Sequence, residues 1–196
     1  MSYFGTCNFI KSAPSFKQIP THPEHKVAFW GRSNVGKSSL LNTLVGQKIA
    51  KVSKTPGRTQ LINLFETQNP KLMICDLPGY GYAKLSHQKL DDITHSLEDF
   101  FKNSDKLSLL CLLIDARHGL TQTDKNILSL IASLECPVSI VLTKADKNSN
   151  NVNKKIIQSV QFDLAEFMLT PPIFCVSSTK KDGIDSLYQS ICSIIE

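Results

Sequence analysis

Eight consecutive residues, Gly31-Arg32-Ser33-Asn34-Val35-Gly36-Lys37-Ser38, fit the pattern G-x-x-x-x-G-K-[ST] at every fixed position. The pattern dictates a local fold. Its glycines let the backbone turn sharply and approach a ligand, so that successive N–H groups point at one anion. Lys37 adds a point charge for β- and γ-phosphates, and the Ser38 hydroxyl can ligate Mg²⁺. The flanks agree. Residues 26–30 (KVAFW) read as a short buried strand, and 38–45 (SSLLNTLV) as a helix whose N-terminal dipole favours anions. A chance Gly/Ser-rich turn does not account for strand, loop and helix arriving in this order.

The rest of the chain repeats the alternation. Strands are expected at 61–66, 71–75, 107–114, 138–142 and 173–176, and helices at 88–102, 121–134, 153–168 and 184–195. The first two of these strands should form an antiparallel ribbon. Thr121 is the expected cap of the third helix, with Asp124 in its first turn. Strands alternating with helices mean βαβ units. The expected fold is therefore α/β and three-layered: a mostly parallel six-stranded sheet with one antiparallel edge strand and helices on both faces. Residues 26–196 form a single domain. Residues 1–25 read as an N-terminal extension with one added strand around 6–10. The Asn-rich stretch 148–153 reads as a surface loop.

Composition narrows the class. With 196 residues, 41% hydrophobic and 20% charged, the chain can bury a full core. No signal peptide is evident, and the longest apolar run, 107–114, is too short to span a membrane. Six cysteines lack C-x-x-C spacing, and Cys75, Cys111 and Cys175 sit in apolar runs, as reduced core residues of a cytoplasmic protein would. The five histidines show no ligand spacing. Charge is uneven: residues 1–60 carry nine Lys and Arg against one acid, a net +8, and the remainder carries −3. Lys48, Lys51 and Lys54 have no phosphate-loop duty; they suit either RNA phosphates or a solvated basic loop.

Ligands of an open α/β sheet bind at the carboxyl ends of its strands, where the polar signals of this chain fall. Asp76-Leu77-Pro78-Gly79 follows one strand; an Asp there can hold Mg²⁺ through water, and a Gly can offer its N–H to a γ-phosphate. Thr143-Lys144-Ala145-Asp146 follows another. A carboxylate accepting two hydrogen bonds suits the N1–H and N2 amine of guanine and disfavours adenine, while the Lys144 stem can lie along the base. A lone Asp after a strand is otherwise a helix cap. Ser177-Ser178 follows the last strand and could offer backbone N–H groups to the base oxygen. Between loop and Asp76, Thr55 and Thr59 compete to complete the Mg²⁺ shell. Thr59 is preferred, because Thr55 precedes a proline.

On these residues the chain resembles the EngB (YsxC/YihA) family of bacterial ribosome-assembly GTPases, within the TrmE-Era-EngA-EngB-septin group. The matching stretches are GRSNVGKSSLLN at 31–42, SKTPGRTQLINLF at 53–65, DLPGYGYAK at 76–84, TKAD at 143–146 and SS at 177–178. The resemblance runs from about Phe9 to the end. It implies a Ras-like fold, binding of GTP or GDP with Mg²⁺, and GTP hydrolysis. It also implies a role in assembling the large ribosomal subunit, whose precursor particle (rRNA and ribosomal proteins) would be the partner, and a link to normal division and septation. By the same resemblance, residues 31–38 bind phosphates, and Ser38 and Thr59 ligate Mg²⁺, with Asp76 acting through water. Gly57, Arg58, Thr59, Gln60 and Leu61 form the first switch, and Asp76, Leu77, Pro78 and Gly79 the second. Thr143, Lys144, Ala145 and Asp146 read guanine, and Val176, Ser177 and Ser178 support the base. Thr143 departs from the wider pattern, where Asn is commoner.

Hydrolysis would rest on Lys37, Thr59, Gly79 and Asn34. Ras-type enzymes place a water-orienting Gln after the second-switch Gly; here that position is Tyr80, so slow turnover is expected until a ribosomal partner orders the switches. Asn34 is either a turn residue or the holder of a K⁺ ion, and Arg58 either stabilises charge or contacts RNA. A monomer that engages neither DNA nor membrane is the default. The competing classes are a small P-loop phosphotransferase and an RNA-binding module with a structural nucleotide.

Overall fold

The structure is a computed structural model and describes residues 2–49, 61–81, 98, 107–133 and 137–195. The candidate residues Thr55 and 57–60, with Lys51, Lys54, Cys136 and nearly all of the helix expected at 88–102, lie outside the described residues.

Among the described residues seven strands form one sheet: β1 (Asn8–Ala13), β2 (His25–Gly31), β3 (Ile62–Glu66), β4 (Leu72–Asp76), β5 (Leu107–Asp115), β6 (Val138–Thr143) and β7 (Ile173–Cys175), in the order β1-β3-β4-β2-β5-β6-β7. From β4 to β7 all neighbours are parallel. β3 runs against both of its neighbours, β1 and β4. The seventh strand comes from the N-terminal extension, at 8–13 and not 6–10. It takes the sheet edge, so the antiparallel strand β3 lies one place inside.

Residue pattern explains the layering. β5 is apolar along almost its whole length and is buried on both faces, as a central parallel strand must be. On β2 the side chains alternate: Val27 and Phe29 join one core, Ala28 and Trp30 the other. The first core is covered by α1 (Lys37–Val45) and α4 (Ile184–Cys192), through Leu40, Leu41 and Leu44 and through Leu187 and Ile191. The second is covered by α2 (Gln122–Ser133) and α3 (Asn150–Ala165), through Leu128 and Ile131 and through Val160 and Leu164. Burial pushes the Cys75 thiol up to about 12 and the Cys7 thiol to about 11, so both stay protonated among the apolar side chains. No helix of the described residues is long and apolar enough to cross a membrane.

α3 begins three residues earlier than periodicity predicts. Ser149 accepts a hydrogen bond from the Val152 N–H (3.4 Å) and caps it, so 150–153 are helical and only 148–149 remain loop. α4 likewise ends at Cys192 and not at 195. β2 has β4 on one side and β5 on the other, so the chain's connections diverge at its carboxyl end. That is the switch point where a doubly wound sheet opens a crevice.

Candidate functional site

The loop between β2 and α1 sits at this switch point. Asn34 is exposed and takes a left-handed conformation (φ 63°), and Val35 tucks back into the core with its N–H on the Arg32 carbonyl (3.1 Å). The turn leaves Gly36 to Ser38 entering α1, with Ser38 half-buried in its first turn.

Asp76, at the end of β4, is only 6% exposed and pairs with the Lys37 ammonium. The Asn63 amide approaches its other oxygen at 3.4 Å, and the Asn63 carbonyl oxygen accepts from the Ser12 hydroxyl (2.8 Å). Register explains the chain of contacts: Ser12, Asn63 and Asp76 stand opposite one another across β1, β3 and β4. Asp76 and Ser38 offer only oxygens, the hard donor set that suits Mg²⁺ and its phosphate-completed shells. Beyond Asp76, Gly79 packs tightly on the phosphate loop; a Cβ there would lie 3.2 Å from the Ser33 nitrogen. Leu61, the one described member of the expected first switch, is exposed at the start of β3.

At the neighbouring strand ends, Asp146 lies in a single 3₁₀ turn (Ala145–Lys147), with Ser177 donating its hydroxyl to the carboxylate at 2.8 Å. That hydrogen bond, with Lys147 nearby, holds the Asp146 carboxyl below the usual range. The backbone N–H of Ser177 is already spent on the Asp182 carbonyl (3.0 Å), so this serine meets the site through its hydroxyl. Ala145 donates to the Val176 carbonyl (3.1 Å), joining the two loops. Thr143 is buried, and its hydroxyl lies 2.6 Å from the Val35 carbonyl and 3.2 Å from that of Ile114. It therefore does tie neighbouring loops, although it lacks the amide of the commoner Asn. Lys144, at φ 58°, donates to the Asn34 carbonyl (2.6 Å) and to Asp115 (2.9 Å).

Asp115, the residue just past the strand expected at 107–114, also belongs to the site. Burial pushes its carboxyl up, but the hydrogen bonds from Arg117 (2.9 and 2.7 Å) and Lys144 outweigh that and hold it well below the usual range. Asn148 was expected only as a loop residue, and Asn153 only as the end of that loop and the start of a helix. Their amides hold the Ala116 and Ala145 carbonyls, at 2.8 and 3.0 Å, and so brace the Asp146 turn.

Tyr80 does not face the crevice. It is fully buried, packs edge-on against Trp30 (5.1 Å between centroids) and donates its hydroxyl to Asp124 at 2.9 Å. Burial and the Asp124 charge push its phenol well above the ordinary range, so it stays a neutral donor.

Comparison with known proteins bears on the same region. A family model described as "50S ribosome-binding GTPase" matches residues 26–144, and one for the "Elongation factor Tu GTP binding domain" matches 98–196. The chain is 42% identical to the probable GTP-binding protein EngB of Metamycoplasma arthritidis, over 92% of this chain and 96% of that one. It is also 42% identical to the EngB of Pectobacterium carotovorum, over 93% and 87%. A crystal structure of a probable GTP-binding protein engB superposes with TM-score 0.69 at 27% identity, covering 87% of this chain and 98% of that one. Era in complex with MgGDPNP and nucleotides 1506–1542 of 16S ribosomal RNA superposes with TM-score 0.67 at 27% identity, covering 88% and 57%.

Proposed function

The chain belongs to the EngB family of GTP-binding proteins, and from that premise we propose that this GTPase is a switch for assembly of the large ribosomal subunit. Guanine-nucleotide binding and GTP hydrolysis come with the family. The observation that carries the nucleotide switch is the convergence, at the carboxyl ends of β2, β4 and β6, of the 31–38 loop, the Asp76–Gly79 turn and a carboxylate braced by Ser177.

In this reading the phosphates are held by the Lys37 ammonium and by N–H groups of the 31–38 loop other than those of Ser33 and Val35, which are spent on the Tyr80 and Arg32 carbonyls. Ser38, Thr59 and, through water, Asp76 would hold Mg²⁺, which would supply positive charge against the negative charge of the phosphates. Gly79 offers its N–H to the γ-phosphate. Asp146 accepts the two donors of guanine, with the Lys144 stem along the base and residues 176–178 behind it. Turnover of the isolated protein is slow, because the residue after Gly79 is the buried Tyr80 and not a water-orienting side chain. A ribosomal particle that orders the switches would raise the rate, and Asn34 would be the residue to hold K⁺, which would add positive charge at the phosphates.

The partner is a large-subunit precursor in the cytoplasm, and failed assembly would carry the effect on division. Support for the large subunit comes from the matched family's description, and support for an RNA contact in general from Era having been seen with nucleotides of 16S ribosomal RNA and from the net +8 of residues 1–60, part of which Lys48 exposes. The test is binding of the full chain to purified large-subunit precursors with a non-hydrolysable GTP analogue, GDP or no nucleotide. Binding that needs the GTP analogue and weakens steeply with salt is expected. Equal binding in all three states overturns the switch and favours an RNA-binding module. Equal hydrolysis rates in KCl and NaCl remove the K⁺ part alone.

A further inference from the structure

We propose that Asp124 is a positioning residue for the GTP state: by holding the Tyr80 hydroxyl, it fixes the backbone N–H of Gly79 against the phosphate loop. The inference rests on the reading above that Gly79 meets the γ-phosphate.

Residues on both sides of Gly79 are pinned. On one side, the Pro78 carbonyl accepts from the Trp30 indole N–H at 3.0 Å. On the other, the Tyr80 N–H donates to the Gly31 carbonyl (3.2 Å), and its own carbonyl accepts from the Ser33 N–H (3.0 Å). The Tyr80 ring lies edge-on to the same Trp30, and its hydroxyl ends on one oxygen of Asp124 at 2.9 Å. Gly79 thus hangs between two anchors, both built into the core beneath the loop, and a Cβ added to it would lie 3.2 Å from the Ser33 nitrogen. A shift of a few tenths of an ångström at Tyr80 carries directly to the Gly79 amide.

Asp124 does more than a helix cap requires. One oxygen takes both the N–H and the hydroxyl of Thr121, at 2.8 and 2.6 Å, which closes the N-terminus of α2. Capping needs nothing more. The other oxygen reaches a phenol 44 positions away in sequence, within a site where the carboxylate is 1% exposed. A buried carboxylate that loses one of its few donors leaves a lone pair unsatisfied, and its neighbours readjust. The bond therefore couples the start of α2 to the second switch. GDP has no γ-phosphate for Gly79 to meet, so a disturbance of this latch must appear in GTP binding and not in GDP binding.

The experiment compares dissociation constants of the full chain for fluorescent GDP and a non-hydrolysable GTP analogue, in wild type, Y80F, D124N, the double variant and G79A. Melting temperatures are taken without nucleotide. Y80F deletes one oxygen and keeps the ring on Trp30. The expected result is an affinity ratio of GTP analogue to GDP lowered about three- to tenfold in Y80F and in D124N. GDP affinity is unchanged, and the double variant falls no further than the worse single one. The proposal is overturned if G79A lowers the ratio while Y80F leaves it at the wild-type value, or if both affinities fall together in step with melting temperature. A ratio unmoved by G79A overturns the role of Gly79 itself, and the latch with it. Y80F decides the matter alone if D124N does not fold.

Discussion

Asp115 and Asp146 are both carboxylates just past strand ends, and their partners give them different work. Asp146 keeps one oxygen on a neutral hydroxyl, that of Ser177, and the other 3.4 Å from the exposed Lys147 ammonium, a loose pairing that leaves acceptor capacity for a base. Ser177→Ala should loosen that carboxylate and weaken guanine-nucleotide binding about tenfold, the scale of one hydrogen bond to a charged group. Fluorescent GDP titration reads it, and ATP-analogue binding should stay negligible. Asp115 is instead saturated by Arg117 and Lys144. Its depressed pKa means that its stabilisation is present above the usual carboxylate range, near pH 4, and is lost as pH falls through the lower folded value. Asp115→Asn should thus cost about 1–3 kcal/mol in urea unfolding at pH 7. The gap to wild type should narrow steadily below about pH 4. Thr143→Val keeps the shape but strips the hydroxyl from the Val35 carbonyl. A loss of about 1–2 kcal/mol and weaker nucleotide binding are expected.

At the scale of elements, Gly183 shows how a helix start serves the site. It opens α4 at φ 71°, and a Cβ there would lie 2.2 Å from the Cys175 carbonyl oxygen. Gly183→Ala should cost several kcal/mol by strain and by collision with backbone; a thermal melt and loss of guanine binding through the displaced 176–178 loop would both record it. This glycine drew no notice in the sequence, whereas the phosphate loop and the Asp76–Gly79 turn stood out, and the difference is physical. Those motifs place all their chemistry in contiguous residues, so spacing alone discloses them. Tyr80 with Asp124, Asn63 with Asp76, and Lys144 with Asp115 are separated by 44, 13 and 29 positions, and only sheet register or core packing brings them together. Periodicity found β5 and the apolar faces of α2 and α4 but set the start of α3 late, because Asn-rich composition concealed a Ser149 cap. The added N-terminal strand was expected at 6–10 and lies at 8–13 for a similar cause: β1 is exposed along most of its length and lacks the apolar alternation that marks a strand's bounds.

For the molecule as a whole, β1 links the chain's first residues to its chemistry. Ser12 and Asn63 carry a hydrogen-bonded path from the sheet edge to Asp76. Asn63→Asp would set a second carboxylate opposite the first, so nucleotide retention should require a several-fold lower Mg²⁺ concentration, while the nucleotide-free protein should melt lower because two like charges face each other with no cation between them. An EDTA-triggered release assay measures the first and calorimetry the second. β1 also decides what the sheet presents to other chains. An open edge is a template for strand pairing between copies. At one end the edge is β7, only three residues long. At the other, β1 carries a register shift between Phe9 and Lys11, with the cationic side chain of Lys11 exposed beside Phe9 and Ile10. A bulge twists an edge away from flat pairing and a lysine penalises the approach of another strand. The sheet therefore ends in two poor templates, and crowding of newly made copies finds little backbone on which to build an aggregate.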